Sequence, residues 1–388
     1  MKKFALVLSG GGFKGAFQLG ALKYLKENWH QIDPGASEMK FDIVAGVSVG
    51  SLNGYMVAAD QFENLEELWK KVGENGVSEI YTSDFIDTSA PSDHIKMKFN
   101  LEKFIRRFMP TIFSRLSFWK GLGAIFSPKK FFKKLLSEAQ QELSGNLKNF
   151  KSIADNSPLE AQLASMVKKS AIRDTIYKCG FVSLDDGQYY CFRHTDFNTD
   201  EDLKNGILAS STMPIVWRPV SGINAAGMQV RNSVDGGIRN VSPLGDVIDE
   251  INKDESGAEY TIIVINCGSG AVDRSSFDDA NIAQIAMRSL TDITLCEIFD
   301  NDLKEFMRIN DLLEQADTLY PGLTLYNYNF RSRKRSKTPL RPFNTIVIQP
   351  ADGALGDTLT ANKELVEKRM AHGAQKAEQA LQEMMELV

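Results

Sequence analysis

Apolar and polar positions in the first sixty residues follow the order strand, loop, helix, and this order occurs twice. Apolar runs at residues 4–8 and 41–44 each predict a buried strand, and helix-like spacing follows over 14–28 and 48–60. Strands that alternate with helices in this way form parallel sheets. The pattern therefore predicts an α/β fold with a doubly wound, mostly parallel central sheet flanked by helices.

The rest of the chain continues this pattern with two interruptions. Further strands are predicted at residues 178–184, 188–193, 228–234, 260–266 and 345–348, and helices at 276–314 and 362–387. No clean strand pattern occurs from 72 to 156, where aromatic residues and lysines are concentrated. We expect one domain over 1–388, with a basic, aromatic helical cap at 72–156. A second, mostly helical insertion at 271–342 is expected to end in a basic loop.

Composition narrows the possible classes of protein. The chain has 388 residues and a net charge of −5, which gives no reason to expect nucleic acid as a partner. Its four cysteines are too scattered for a disulfide framework or a Cys-x-x-Cys metal site. The apolar run at residues 4–8 is too short for a signal peptide, and no apolar window is long enough for a transmembrane helix. We therefore expect a cytoplasmic protein that needs neither a metal nor a cofactor.

Two glycine-framed loops follow the first two predicted strands. They are Gly10-Gly11-Gly12-Phe13-Lys14-Gly15 and Gly46-Val47-Ser48-Val49-Gly50. In a Gly-x-Ser-x-Gly sequence the serine can occupy a sharp strand-to-helix turn that exposes its hydroxyl as a nucleophile. A serine at this place can also be an ordinary helix N-cap. The strand before Ser48 and the helix-like stretch after it favour the nucleophile.

The first loop allows three interpretations. A dinucleotide site needs an acidic residue at the end of the second strand, but Asp42 lies at its start. A P-loop is excluded because no Gly-Lys-Ser/Thr sequence occurs. The third interpretation is an oxyanion hole, in which successive glycine N–H groups at a helix N-terminus bind an anion. Lys14 either adds positive potential there or is a solvated residue of the first helical turn.

The general base is not evident from local pattern. Of the four histidines (His30, His94, His194 and His372), His194 alone follows a strand, and a capping or exposed role suits all four better. Aspartate before glycine after a strand is the alternative, and it occurs three times, at Asp186, Asp235 and Asp352. Asp186 is flanked by two strands and predicts a hairpin turn. Local pattern leaves Asp235 and Asp352 equally possible.

Taken together, the motifs resemble those of the patatin-like phospholipases. The resemblance rests on the two glycine loops, on Asp235-Gly236-Gly237, and on the block Ala209-Ser210-Ser211-Thr212-Met213-Pro214 upstream of that aspartate. It is good over residues 4–70 and 178–270 and poor over the two insertions. The family consists of lipid acyl hydrolases that use a Ser–Asp dyad without a histidine.

This resemblance implies a role for each matching residue. Ser48 is the expected nucleophile, Asp235 its partner, and Gly10, Gly11 and Gly12 the oxyanion hole. Supporting motif positions are Lys14, Gly15, Gly46, Gly50, Gly236 and Gly237. The expected activity is that of a serine esterase, a phospholipase A-type enzyme acting on acyl esters of lipids. Two alternatives stay open at this point, a hydrolase of soluble esters or thioesters and a ligand-regulated effector phospholipase.

The first insertion has the composition of a lipid-contacting segment. Residues 96–135, from Lys96 to Leu135, contain eleven Lys/Arg and one acid, interleaved with aromatic side chains. Such a segment can meet anionic headgroups with its lysines and acyl chains with its aromatic rings. It can equally be a cap whose aromatic residues pack on the main domain. Peripheral contact with an anionic membrane is therefore one of two expectations for it.

Overall fold

A central β-sheet and the helices around it form the framework of the protein. The structure is a computed structural model that describes residues 2–87, 96–97, 151–272, 288–329 and 332–386, with isolated positions between these ranges. The strands are β1 (Lys2–Leu8), β2 (Ile43–Val47), β3 (Ile86–Asp87), β4 (Lys96–Met97), β5 (Ile176–Ser183), β6 (Tyr189–Arg193), β7 (Ile223–Ala225), β8 (Met228–Val230), β9 (Ser233–Asp235), β10 (Glu259–Ile265), β11 (Tyr326–Asn329), β12 (Lys334–Pro339) and β13 (Asn344–Ile348). The helices are α1 (Gly15–Glu27), α2 (Val49–Ala58), α3 (Phe62–Asn75), α4 (Ser157–Met166), α5 (Asp200–Ser210), α6 (Leu244–Ile251), α7 (Leu295–Leu319) and α8 (Lys363–Glu386).

The large sheet has the strand order β13-β10-β1-β2-β5-β6 and includes β9, which pairs with β5. The pairs from β13 to β5 are parallel, whereas β6 and β9 run antiparallel to β5. The predicted fold class, a mostly parallel sheet flanked by helices, is confirmed. Strands β1 and β2 are paired and parallel, so the loops that follow them lie side by side at the same edge of the sheet.

Alternation along β1 sends successive side chains to two different cores. Leu6 and Leu8 belong to the larger core, which includes residues of α1, α2, α3 and α8. Ala5 and Val7 face the opposite side and pack with Val247 of α6. Because both faces of the sheet are covered by helices, β1 is apolar at consecutive positions, as its sequence pattern predicts.

The structure differs from the predicted elements in several places. The strand predicted at residues 228–234 is divided into β8 and β9, because Asn232 adopts a positive φ of 48° that interrupts the extended chain. Part of the segment predicted as a basic loop is a strand, since β12 pairs antiparallel with β11. The predicted lipid-contacting segment, residues 96–135, lies almost entirely outside the described residues. In the part of the chain that the structure describes, no helix combines the length and the apolar character that crossing a membrane requires.

Candidate active site

Ser48 lies on a sharp turn between β2 and α2. Its backbone has φ 57° and ψ −132°, and a positive φ is rare for a residue with a side chain. The turn is so tight that a Cβ on Gly46 would lie 2.1 Å from the carbonyl oxygen of Gly50. The N-terminus of α2 lies directly after the serine and favours negative charge beside it. This is the geometry of a nucleophile elbow.

Two serines at the end of α5 hold this strained turn from the other side. The amide of Ser48 donates to Ser210 Oγ over 2.9 Å, and Ser210 Oγ in turn donates to the carbonyl of Gly180 over 2.6 Å. Ser211 Oγ donates to the carbonyl of Ser48 over 3.1 Å. Both main-chain polar groups of the nucleophile candidate are thus hydrogen bonded, which fixes the direction of its side chain.

Strand β5 brings Ser48 and Asp235 together through its register with two strands. The last residue of β2, Val47, pairs with Gly180 of β5. The last residue of β9, Asp235, pairs with the next β5 residue, Phe181. Strands β2 and β9 therefore approach each other end to end along the same edge of β5. Residues 187 positions apart in the sequence become neighbours by this pairing.

Asp235 is a buried carboxylate that lines the same pocket as Ser48. Its Oδ1 accepts a hydrogen bond from the amide of Gly237 over 2.8 Å, and the Ser48 side chain is near enough to lower its pKa. The amide of Asp235 donates to the carbonyl of Thr212 over 2.8 Å. Burial raises the pKa of the Asp235 carboxyl to about 6, and the Ser48 side chain and the Gly237 amide act in the opposite direction. The pKa of this carboxyl is therefore closer to neutral pH than that of an exposed aspartate. The carboxylate is better suited to accept a proton for that reason.

The glycine loop after β1 borders the same pocket, but its three N–H groups are not equivalent. The amide of Gly10 donates to the carbonyl of Val241 over 3.0 Å, so the prediction that it binds an oxyanion is corrected. Within the described residues, the amides of Gly11 and Gly12 have no such acceptor, and both residues line the pocket at Ser48. Lys14 also lines this pocket, so the positive charge of its side chain lies beside the glycine loop. The candidate oxyanion hole thus consists of the Gly11 and Gly12 amides.

The sequence that forms this site matches a known protein family. The sequence model of the patatin-like phospholipase family matches residues 6–248. The chain belongs to this family. Membership supports a lipid hydrolase activity, and the matched range contains both glycine loops and Asp235.

Solved structures give more distant matches. VipD from Legionella pneumophila is 12% identical with a TM-score of 0.40, and the match covers 98% of this chain and 67% of VipD. The type III effector ExoU is 13% identical with a TM-score of 0.32, and the match covers 98% of this chain and 53% of ExoU. Comparison with curated protein sequences gives no significant match.

In this patatin-like protein the other candidate bases lie away from Ser48. His194 is buried, and its Nδ1 accepts the amide of Tyr177 over 3.3 Å. Asp352 is exposed on the loop after β13. Asp186 lies in the predicted hairpin turn between β5 and β6, where it accepts the Tyr190 hydroxyl over 2.6 Å. Among the described residues, no histidine lines either pocket that reaches Ser48, so Asp235 stays the candidate partner.

Two pockets of different character meet at Ser48. One, here called the loop pocket, lies beside the glycine loop and includes Lys14, Asn266, Arg288 and Thr358. The other, here called the apolar pocket, extends beneath Ser48 between α2, α3 and α4. Its wall is almost wholly apolar and includes Leu52, Leu68, Trp69, Val72, Leu159 and Trp217. A substrate with a polar part and a hydrocarbon part can therefore place one on each side of the nucleophile.

Several residues that build the site have no role that can be predicted from the sequence. Ser210 and Ser211 stood in a recognised block, but only the structure shows that their hydroxyls hold Ser48. The loop around Thr358 lies outside every recognised motif, yet it borders the glycine loop. In the part of the chain that is described, no group of three or more His, Cys, Asp or Glu side chains has the arrangement of a metal site.

Proposed function

We propose that this protein is a serine esterase that hydrolyses acyl ester bonds of phospholipids through a Ser48–Asp235 dyad. The observation that carries the proposal is that Ser48, on its sharp turn, and the buried Asp235 carboxylate line the loop pocket together, while Ser48 also borders the apolar pocket. A nucleophile with an adjacent base and nearby amide donors has the components of acyl transfer.

In the first half-reaction, Ser48 Oγ attacks the ester carbonyl carbon and its proton passes to Asp235. The carbonyl oxygen becomes an oxyanion, which the amides of Gly11 and Gly12 stabilise. Collapse of this intermediate breaks the ester C–O bond, and the leaving alcohol takes the proton from Asp235. The acyl group is then bound to Ser48 as an ester.

In the second half-reaction, Asp235 takes a proton from water and the resulting hydroxide attacks the acyl-enzyme. The fatty acid leaves and Ser48 recovers its proton. An aspartate with a pKa of about 6 is mostly ionised at neutral pH, yet it is basic enough to accept a proton during attack. A bound acyl chain would exclude water from the apolar pocket, which strengthens these electrostatic interactions.

Two further expectations belong to this proposal. We propose peripheral contact with an anionic membrane through residues 96–135, whose charge and aromatic content suit a lipid surface. Placement of the enzyme in the cytoplasm likewise stays a prediction.

Activity measurements on two classes of ester test the proposed function. Wild type and Ser48→Ala are compared on phosphatidylglycerol vesicles and on soluble nitrophenyl esters, and a fluorophosphonate label is located by peptide mass spectrometry. We expect hydrolysis of both classes by the wild type, loss of both in Ser48→Ala, and label on Ser48 alone. Hydrolysis confined to short soluble esters would favour the alternative of a soluble-ester hydrolase. A label on another residue would reject the assigned nucleophile.

A further inference from the structure

A segment near the C-terminus lies against the glycine loop. Residues 355–360, here called the strap, connect the region after β13 to α8. The carbonyl of Thr358 accepts the amide of Phe13 over 2.9 Å. At Gly12, whose φ is 54°, a Cβ would lie 2.4 Å from that same carbonyl oxygen. The main chains of loop and strap are thus in contact, and a shift of the strap would shift the Gly11 and Gly12 amides with it.

Arg369 of α8 ties the two segments together. Its side chain is fully buried, at 0% exposure. The guanidinium donates to three strap carbonyls, those of Leu355 at 2.8 Å, Asp357 at 2.8 Å and Thr360 at 3.0 Å. It donates in addition to the carbonyl of Phe13 in the glycine loop, over 3.1 Å. A planar guanidinium has its donors in fixed directions, so these bonds set the path of both main chains.

The positive charge of Arg369 acts on Cys267, which lies at the base of the glycine loop. Cys267 lies directly behind Gly11, where a Cβ on that glycine would approach the Cys267 Cβ to 2.3 Å. Burial raises the pKa of the Cys267 thiol to about 12, and the charges of Lys14 and Arg369 act in the opposite direction. A cation buried on this side of the loop favours negative charge on the other, where the oxyanion would form.

We propose that Arg369 is a positioning residue for the oxyanion hole. It holds the strap and the glycine loop in one arrangement, in which the Gly11 and Gly12 amides face the ester carbonyl at Ser48. Arg369 and the strap both lie beyond residues 6–248, the range that the family model matches. The C-terminal part of this chain therefore completes a site whose nucleophile and base come from the family domain. The inference rests on the proposed function.

The test separates positioning from general stability. Arg369→Lys keeps the positive charge but loses the planar guanidinium and its fixed donor directions. Arg369→Met removes both the charge and the donors. Leu381→Ala is the matched control, because Leu381 is buried at 1% exposure in the same helix but three turns further on. We measure thermal stability, kcat and KM on a soluble ester, and the affinity of an alkyl boronic acid, which mimics the tetrahedral oxyanion.

For Arg369→Lys we expect kcat and boronate affinity to fall together by about tenfold or more, with KM changed by less than about threefold, because an interaction made only in the transition state is lost. Arg369→Met should lose more kcat and more boronate affinity than Arg369→Lys. The pH midpoint of activity should not move, since Asp235 is untouched. Leu381→Ala should keep its kcat within about twofold of wild type even where its thermal stability is lower.

Two results would overturn the proposal. One is a folded Arg369→Lys with wild-type kcat and boronate affinity; the other is a loss of kcat in Leu381→Ala as large as that in Arg369→Lys. If the Arg369 variants do not fold, Thr358→Gly replaces them, because it loosens the strap without removing the carbonyl. An unchanged kcat in Thr358→Gly would then count against positioning. Failure of the proposed function is distinct, since there wild type and Ser48→Ala would already be equal.

Discussion

The Asp235 carboxylate lies buried beside the Ser48 side chain, and both residues line the loop pocket. Asp235 is only 5% exposed, and burial is the main reason why its pKa is raised to about 6. Burial therefore destabilises the ionised form of Asp235. This form lies beside Ser48, whose proton it would accept in the reaction. This single contact has consequences both for the pH dependence of activity and for stability.

Activity is predicted to follow the ionisation of Asp235. The base must be ionised to accept the Ser48 proton, so kcat/KM on a soluble ester should fall as pH decreases through about 6 and reach a plateau above about 7. The profile should show one ionisation on its acidic side. His194→Gln and His372→Gln are the controls, because histidines titrate in a similar range. A midpoint that moves in either variant would assign the ionisation to a histidine instead.

Asp235→Asn is predicted to abolish activity and yet stabilise the fold at neutral pH. Because the folded pKa lies above the unfolded value of 3.8, the contribution of Asp235 to stability is fully present below about pH 4 and is lost as pH rises through about 6. The difference corresponds to about 3 kcal/mol. Urea unfolding should therefore show variant and wild type equal near pH 4, and the variant more stable near pH 8 by an amount of that order. Equal stability at both values would mean that Asp235 is not strained by burial.

Ser210→Ala is predicted to weaken the nucleophile turn, whereas Ser211→Ala should be mild. Removing the Ser210 hydroxyl leaves the buried amide of Ser48 without its acceptor, which costs about 1–3 kcal/mol of stability. The carbonyl of Ser48 has other donors, because Ser51 donates to it from both its amide and its hydroxyl. Unfolding free energies and kcat of the two variants check this order. The reverse order would show that Ser211, not Ser210, holds the turn.

Gly11→Ala is predicted to disrupt the oxyanion hole through a steric conflict with Cys267. The new Cβ would lie 2.3 Å from the Cys267 Cβ, so the loop must move and kcat should fall by about 100-fold. Removing the opposing Cβ in the double variant with Cys267→Gly should restore part of the lost kcat. Measurement of kcat on a soluble ester for the two single variants and the double variant gives the coupling between the residues. No recovery in the double variant would show that the conflict lies elsewhere.

The sequence predicted those parts of the site that are local in the chain. Ser48 and the glycine loop each lie between one strand and one helix, so spacing and residue type were sufficient to propose their roles. Asp235 could not be separated from Asp352 by local pattern, because their difference arises from pairing with β5, which only Asp235 reaches. The resemblance to a family supplied the choice that periodicity could not.

Features of the site that depend on contacts between distant parts of the chain could not be predicted from the sequence. Gly10, Gly11 and Gly12 are alike in sequence, and only the bond from Gly10 to the Val241 carbonyl separates them. Arg369 stands on the polar-looking sequence of a long helix, where an exposed side chain is the ordinary expectation. Its burial follows from four main-chain carbonyls supplied by segments that the helix meets in the folded state.

The apolar pocket is predicted to set acyl-chain preference. Val72 and Leu68 line it on α3, so Val72→Phe should shorten the pocket and Leu68→Ala should enlarge it. Loss of room for about two methylenes, at about 0.8 kcal/mol each, corresponds to roughly a tenfold change in relative kcat/KM. The ratio of kcat/KM for palmitoyl over butyryl esters should therefore fall by about tenfold in Val72→Phe and should not fall in Leu68→Ala. Val247→Phe, in the core on the opposite face of the sheet, controls for overpacking and should leave the ratio unchanged. If Val72→Phe and Val247→Phe alter the ratio alike, the acyl chain binds outside the apolar pocket, because an effect of the pocket must be confined to side chains that line it.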